Sequence, residues 1–204
     1  MSGVFITFEG IDQSGKSTQI EHLIEQLNAK CPEREVVRTF EPGATELGAK
    51  LRTEILHEDA ISACAELLLY LADRAENVSK IVLPALARGC VVISDRYIDS
   101  TVAYQCAGRK FSEPEIAKMM HLATDGLVPD LTFLLDITVA ESRRRLSTLN
   151  ADRLEQESNE FFERVRSGYL KLAEKERRIY TLDATLPADN LARKIYEVVL
   201  NVLE

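Results

Sequence analysis

Apolar runs of strand length alternate along the chain with longer stretches of helical period. Val4 to Glu9 is a nearly continuous apolar run, as expected of a strand buried on both faces. Val36 to Thr39, Val91 to Asp95, Leu131 to Asp136 and Ile179 to Asp183 read the same way. Lys16 to Lys30 sets Ile20, Leu23, Ile24 and Leu27 on one helical face. Glu46 to Leu56, Ala63 to Ala87, Glu113 to Thr124, Ala140 to Leu146, Asn159 to Glu176 and Ala188 to Leu203 are the other predicted helices. Pro84 predicts a kink or break near the end of the long one, which Gly89 closes. Ser112 with Glu115 three residues on predicts a capping box. Ser147 to Glu155 is polar and weakly periodic, and reads as a loop or mobile flap. Strands that alternate with helices predict an α/β fold around a parallel sheet. No repeat, low-complexity tract or linker divides the chain, so one domain over 1–204 is expected.

Composition narrows the partners. The 204 residues carry a formal net charge of −8, which argues against polymeric nucleic acid or a membrane surface. Local arginines can still hold a small phosphate ligand. The cysteines at 31, 64, 90 and 106 make no C-x-x-C pair and no zinc spacing, so reduced thiols are expected. The first residues have no basic n-region and no stretch approaches a membrane span, which predicts a cytoplasmic protein.

Gly10-Ile11-Asp12-Gln13-Ser14-Gly15-Lys16-Ser17, followed by Thr18, fits G-x-x-x-x-G-K-[ST] between a predicted strand and a predicted helix. Glycines let the backbone wrap phosphate oxygens, and the loop N–H groups and helix N-terminus face the anion. Lys16 brings positive charge to the β/γ-phosphates and the Ser17 hydroxyl suits Mg²⁺. This motif points to a nucleoside triphosphate with magnesium and leaves the reaction open. Asp95-Arg96-Tyr97 follows the third strand, where strand ends face the ligand crevice. There Asp95 can orient the metal and Arg96 can fork onto a phosphate; from the residues alone, a structural Asp95–Arg96 ion pair is the other reading.

In order along the chain stand Phe8-Glu9-Gly10-Ile11-Asp12, Glu41-Pro42-Gly43 with Thr45, Gly48 and Arg52, and Leu68-Leu69-Tyr70-Leu71-Ala72-Asp73-Arg74-Ala75. Asp95-Arg96-Tyr97 with Ser100-Thr101 and Ala103-Tyr104-Gln105 follows, then Asp152-Arg153-Leu154-Glu155 with Phe161-Phe162 and Tyr169-Leu170, then Asp183-Ala184 and Pro187. Together these closely resemble the motifs of thymidylate kinases. The resemblance implies a P-loop NTPase three-layer sandwich, with a central parallel five-stranded sheet flanked by helices and a lid near 143–155. It implies transfer of the γ-phosphoryl of ATP to dTMP with Mg²⁺, and a homodimer.

By the same resemblance Tyr70 stacks on thymine, although alone it would read as a core aromatic. Arg74 donates to a thymine carbonyl, and Ser100 and Gln105 meet the base edge. Arg96, assisted by Arg52, holds the acceptor phosphate, Tyr104 crowds out a 2′-hydroxyl, and Glu41 and Pro42 line the acceptor pocket. Asp12 helps hold the phosphate-carrying arginine. Ser17 and Asp95 are the expected metal ligands.

The pattern departs from the family at Gln13, which supplies no arginine in the phosphate loop, at Phe40, where an arginine is common, and at Ala44, where a glycine is. Arginine must then come from the lid. Arg153 has the best motif support as a catalytic residue, and Arg145 is assigned to ATP. Arg143 and Arg144 read as a solvated basic face, because three consecutive arginines point to different sides of a helix. A deoxynucleoside kinase is the runner-up; it would need a carboxylate base for a neutral hydroxyl acceptor. A regulatory GTPase-like binding module would want an N-K-x-D motif, which is not in the sequence.

Overall fold

The computed structural model describes residues 2–57, 61–146 and 153–203. Five strands, Val4–Glu9 (β1), Val36–Phe40 (β2), Val91–Asp95 (β3), Leu131–Asp136 (β4) and Ile179–Asp183 (β5), form one parallel sheet in the order β2-β3-β1-β4-β5. Every residue of β1 is buried, as befits the middle strand of a covered parallel sheet. Its period of two sends Val4, Ile6 and Phe8 to one face and Phe5, Thr7 and Glu9 to the other.

On the first face, Lys16–Lys30 (α1) and Ala188–Leu203 (α9) bury Ile20, Leu23, Leu27, Ile195 and Val199 against Ile6, Phe8, Ile93 and Phe133. The second face is covered in two parts. One is a long helical stretch: Ala63–Asn77 (α3), a π-helical turn over Val78–Val82, then Leu83–Ala87 (α4). The other is Asn159–Lys175 (α8), whose Phe161, Phe162, Val165 and Tyr169 pack on Leu134, Leu135 and Tyr104. Glu46–His57 (α2) and Glu113–Thr124 (α6) flank α3, and Val139–Arg145 (α7) follows β4.

The predicted break at Pro84 takes a different form. The chain stays helical to Ala87, and the wide π turn lies just ahead of the proline, where the ring and missing N–H would disrupt a regular ladder. A second π stretch, Val102–Gly108, follows the short helix Ile98–Thr101 (α5) and carries Tyr104 and Gln105. Ser112 is the N-cap of α6, but its side chain makes no capping bond, so the predicted capping box is not formed. Side-chain caps are made by Ser62 on α3, Thr138 on α7 and Ser158 on α8. Most of the flap predicted over 147–155 lies outside the described residues. Among these, no helix is long and apolar enough to cross a membrane, and the four cysteines are unpaired.

Candidate active site

The carboxyl ends of β1 and β3 lie side by side at the middle of the sheet, paired through Phe8 and Asp95. The phosphate loop leaves from one and the 95–97 turn from the other, so both open into the same crevice. Gly10 and Gly15 hold φ of 138° and 93°, a region that favours glycine. A side chain at Gly10 would also strike the Leu135 carbonyl at 2.5 Å. Gln13 and Arg96 occupy the left-handed region without being glycine, at φ 63° and 73°. Such strain collects where surrounding contacts over-determine a functional turn.

Two adjoining hollows open from this crevice. The first, with about 650 Å³ of space, is lined by Asp12, Gln13, Gly15, Lys16, Ser17, Thr18, Asp95 and, from β2, Arg38 and Phe40. The second is narrower, about 100 Å³, and is lined by Pro42, Leu56, Tyr70, Arg74, Ser100, Thr101, Tyr104, Gln105 and Leu154. Asp12, Glu41, Arg52 and Arg96 border both. Phosphate-loop chemistry and an aromatic pocket thus share one charged wall.

In the first hollow, Lys16 is buried and its Nζ donates to the carbonyls of Gly10 and Ile11 at 3.2 and 3.3 Å. Burial, then the Arg96 charge, pulls its pKa below the ordinary lysine value. Ser17 Oγ donates to Asp95 Oδ2 at 3.2 Å. These two oxygens at an open cleft fit a hard divalent cation that keeps most of its own water or phosphate ligands. Among the described residues no cluster of three or more His, Cys, Asp or Glu could cage a metal by itself.

At the shared wall, Arg96 Nη2 donates to Asp12 Oδ1 at 2.6 Å. Its Nη1 reaches the Gly10 carbonyl at 3.1 Å, Ser100 Oγ at 3.3 Å and the Tyr169 hydroxyl at 3.4 Å. Burial works to raise the Asp12 pKa, but the charges of Arg96 and Lys16 outweigh it and hold the carboxyl below its usual range. The Tyr104 hydroxyl donates to Asp12 Oδ2 at 3.3 Å, so Tyr104 is oriented by the same carboxylate. Arg52 Nη1 donates to the Pro42 carbonyl at 2.7 Å, which fixes it beside the turn that follows β2.

Several of the expected pocket residues also have protein partners of their own. Glu41 is buried, and both its oxygens are engaged, one by Arg74 Nε at 2.7 Å and one by Asn77 Nδ2 at 2.9 Å. It builds the pocket wall by ion pairing. Arg74 also donates to Thr101 Oγ1 and the Tyr97 carbonyl, leaving one N–H on each Nη for a ligand. Ser100 Oγ, expected at the base edge, lies within hydrogen-bond range of Glu9 and Tyr169. Gln105 Nε2 points to Glu66 at 3.4 Å.

The lid arginines are corrected most. Arg153 borders neither hollow: it donates to the Ile55 carbonyl and pairs with Glu66 at 2.5 Å. Its guanidinium reaches back to α3 because a buried carboxylate waits there, which Arg109 also grips at 3.0 Å. Arg143 is no solvated residue. It donates to the carbonyls of Glu155 and Glu157 and sits 4.7 Å over the Phe162 ring. Arg144 is 73% exposed and pairs with Glu141, in keeping with a solvated face. Of the four arginines considered for the lid, Arg145 touches the phosphate loop, through the Gln13 carbonyl at 3.3 Å, and its Nη2 holds the Ala184 carbonyl. Asp152 lies outside the described residues.

Glu9 and Tyr169 were not assigned roles from the sequence, yet they stand directly beneath Arg96. A carboxylate that ends an otherwise apolar buried strand was the available signal.

Comparisons with known proteins agree with this geometry. A family model described as thymidylate kinase matches residues 8–195. A thymidylate kinase of Leifsonia xyli is 48% identical over 95% of this chain and 92% of its own length. One from a Sulfurihydrogenibium strain is 46% identical over 90% of each chain. The crystal structure of thymidylate kinase from Ehrlichia chaffeensis superposes with a TM-score of 0.81 at 32% identity, over 98% of this chain and 99% of that one.

Proposed function

The chain belongs to the thymidylate kinase family, and from that premise we propose how its residues divide the work of phosphoryl transfer. The reaction moves the γ-phosphoryl of ATP to dTMP, giving ADP and dTDP. One observation carries the assignment of roles: the phosphate-loop hollow and the aromatic pocket meet at Arg96, Asp12 and Arg52. ATP phosphates lie in the first hollow, over the N–H groups of 10–18 and Lys16. The monophosphate lies in the second, its base against Tyr70 and its sugar beside Tyr104. Its phosphate then falls at the shared wall, where Arg96 and Arg52 receive it.

Positioning and charge do the chemistry. Arg96 is held from one side by Asp12, so its fork is set before substrate arrives. An acceptor phosphate is already anionic, which removes the need for a general base. Lys16 and Arg96 stabilise the charge that spreads over the transferring group. Arg145 supports the loop that carries the donor and is the lid-side arginine nearest to it. Mg²⁺ would be held by Ser17 and Asp95 and, when bound, would neutralise charge on the donor phosphates.

A coupled assay of ADP release across nucleosides and monophosphates tests the reading. Turnover with thymidine and none with dTMP would overturn it in favour of a nucleoside kinase. Arg96→Ala should lower kcat/KM for dTMP by about two to three orders of magnitude while ATP affinity changes little. Unimpaired turnover would remove Arg96 from the acceptor site.

We also infer a homodimer. Leu47 on α2, Leu68 on α3, and Met119 and Leu122 on α6 are large apolar side chains left exposed, Leu122 by 86%. These helices are neighbours through α3, and such a face favours a self-complementary partner. A monomer mass in sedimentation equilibrium at micromolar chain concentration would overturn this.

A further inference from the structure

The Glu9 carboxylate is completely buried on the covered face of the sheet. Its Oε1 accepts the backbone N–H of Tyr97 at 2.7 Å. Its Oε2 lies 2.6 Å from Ser100 Oγ and 2.8 Å from the Tyr169 hydroxyl, and those two oxygens are 2.8 Å from each other. Both hydroxyls are also the acceptors that Arg96 Nη1 meets on its side away from Asp12. The Tyr97 bond lies one residue past Arg96, the residue with φ 73°. Glu9 therefore grips the turn that carries Arg96 by its backbone and also touches both hydroxyls that face its guanidinium.

The direction of the protons follows from the inventory of donors. Each hydroxyl has one hydrogen and two lone pairs. When Glu9 is ionised it can only accept, so both hydroxyls turn their hydrogens toward it and present lone pairs to Arg96. When Glu9 carries a proton, that proton must be donated to one of the two hydroxyls. The recipient then turns its own hydrogen toward the other hydroxyl, 2.8 Å away, and the two acceptors that meet Arg96 lose the carboxylate charge that polarised them.

We propose that Glu9 is a positioning residue for phosphoryl-acceptor binding: its carboxylate, through Ser100 and Tyr169, sets the hydrogen-bond acceptors that hold the Arg96 fork. The proposal rests on the reading of Arg96 as the acceptor-phosphate ligand. Around Glu9 stand Asp99 from α5, Arg96 after β3, Tyr169 from α8, Lys16 from α1, Arg74 from α3 and Arg178 before β5. Burial, and then the charge of Asp99, raises the Glu9 pKa to about 7. The relay therefore changes state near neutral pH.

The test is steady-state kinetics of the full-length wild type and Glu9→Gln, with each nucleotide varied in turn, from about pH 5.5 to about pH 8.5. Gln imitates the neutral side chain. At the alkaline end the variant should show a loss of about tenfold in kcat/KM for dTMP, with KM for ATP within about twofold of wild type. The ratio of wild type to variant should fall toward one as the pH drops through the Glu9 transition. Titration of the acceptor's own phosphate is common to both proteins and cancels in the ratio. A ratio independent of pH, or equal losses for both nucleotides, would overturn the proposal and leave Glu9 a purely structural group. Should Glu9→Gln fail to fold, Tyr169→Phe removes one of the two acceptors; it should raise KM for dTMP selectively, and an unchanged value overturns the proposal. Arg96→Ala measured alongside separates the two levels. Full activity there removes the premise as well, whereas a collapse there with a flat Glu9→Gln ratio overturns the proposal alone.

Discussion

Glu9 and Asp73 are carboxylates held back from ionising, Glu9 by burial and then by Asp99, Asp73 by burial and then by Glu41. Unfolded, they release their protons near their ordinary values of 4.5 and 3.8; folded, they hold them to about 7 and about 6. Between those limits the native state binds more protons than the unfolded chain. Their contribution to stability is therefore complete in acid and is lost as the pH rises through about 6 to about 7. Each full proton of difference changes stability by about 1.4 kcal/mol per pH unit. Denaturant unfolding should accordingly show this contribution declining from about pH 4 to about pH 7 and levelling off above that, and Glu9→Gln should flatten the decline. A slope unaltered in the variant would show that Glu9 does not titrate there. Asp12 and Glu66 work in the opposite sense: burial raises both, but adjoining arginines, aided by Lys16 at Asp12, outweigh it and keep them low, so their contribution is lost only in acid. The charge that serves Arg96 thus lowers stability at the alkaline end.

Among the elements, α3 and α8 are held by contacts that allow little change. Glu66 on α3 is 1% exposed and carries Arg109 and Arg153 together. Glu66→Ala would leave both guanidiniums without their buried counter-ion, and a loss of about 3 to 5 kcal/mol is expected in equilibrium unfolding. A loss under about 1 kcal/mol would show that Arg109 finds Glu157, its other partner at 2.5 Å, sufficient. On α8, a Cβ at Gly168 would stand 2.7 Å from the Ala107 Cβ and 3.3 Å from the Ala103 Cα. Gly168→Ala should therefore cost about 1 to 3 kcal/mol although alanine favours helices, because overpacking outweighs propensity. Greater stability in thermal unfolding would overturn that expectation.

All five strands were legible in the sequence, β1, β3 and β4 as buried, mostly apolar runs, and the partly exposed edge strands β2 and β5 as short segments in the same alternation with helices. The regular helices were legible to within a residue or so, except the four-residue α5 (Ile98–Thr101), which is too short to show a period. The π turns were not, because five to seven residues are too few to distinguish one helical period from another. The phosphate loop was legible in full: its glycines and lysine act through local backbone. Arg153, Arg143 and Ser100 have partners that the sequence did not indicate, for one shared reason. Their partners, Glu66, the 155–157 carbonyls and Glu9, are distant in sequence or belong to the backbone, and a motif does not state which way a long side chain turns.

For the whole molecule, an acidic balance is compatible with phosphate ligands because Lys16, Arg38, Arg52, Arg74 and Arg96 all border one crevice. Ligand linkage should be visible in the melting temperature. Nucleotide at about 100 times its dissociation constant stabilises the native state by about 2.7 kcal/mol, a shift of a few degrees for a chain of this length. Addition of a chelator to the ATP-loaded protein should reverse much of that shift, and a melt insensitive to chelation would argue against a divalent ion at Ser17 and Asp95.

The wall that the two hollows share has a thermodynamic consequence. Asp12, Glu41, Arg52 and Arg96 border both hollows. A ligand that draws Arg96 toward its own phosphate changes what the neighbouring ligand meets, so the two sites should be energetically coupled. That coupling must be reciprocal: whatever factor dTMP imposes on the affinity for a non-hydrolysable ATP analogue, the analogue must impose on dTMP. A compound that joins the two nucleotides through a phosphate chain should gain from both at once, since the second contact becomes intramolecular.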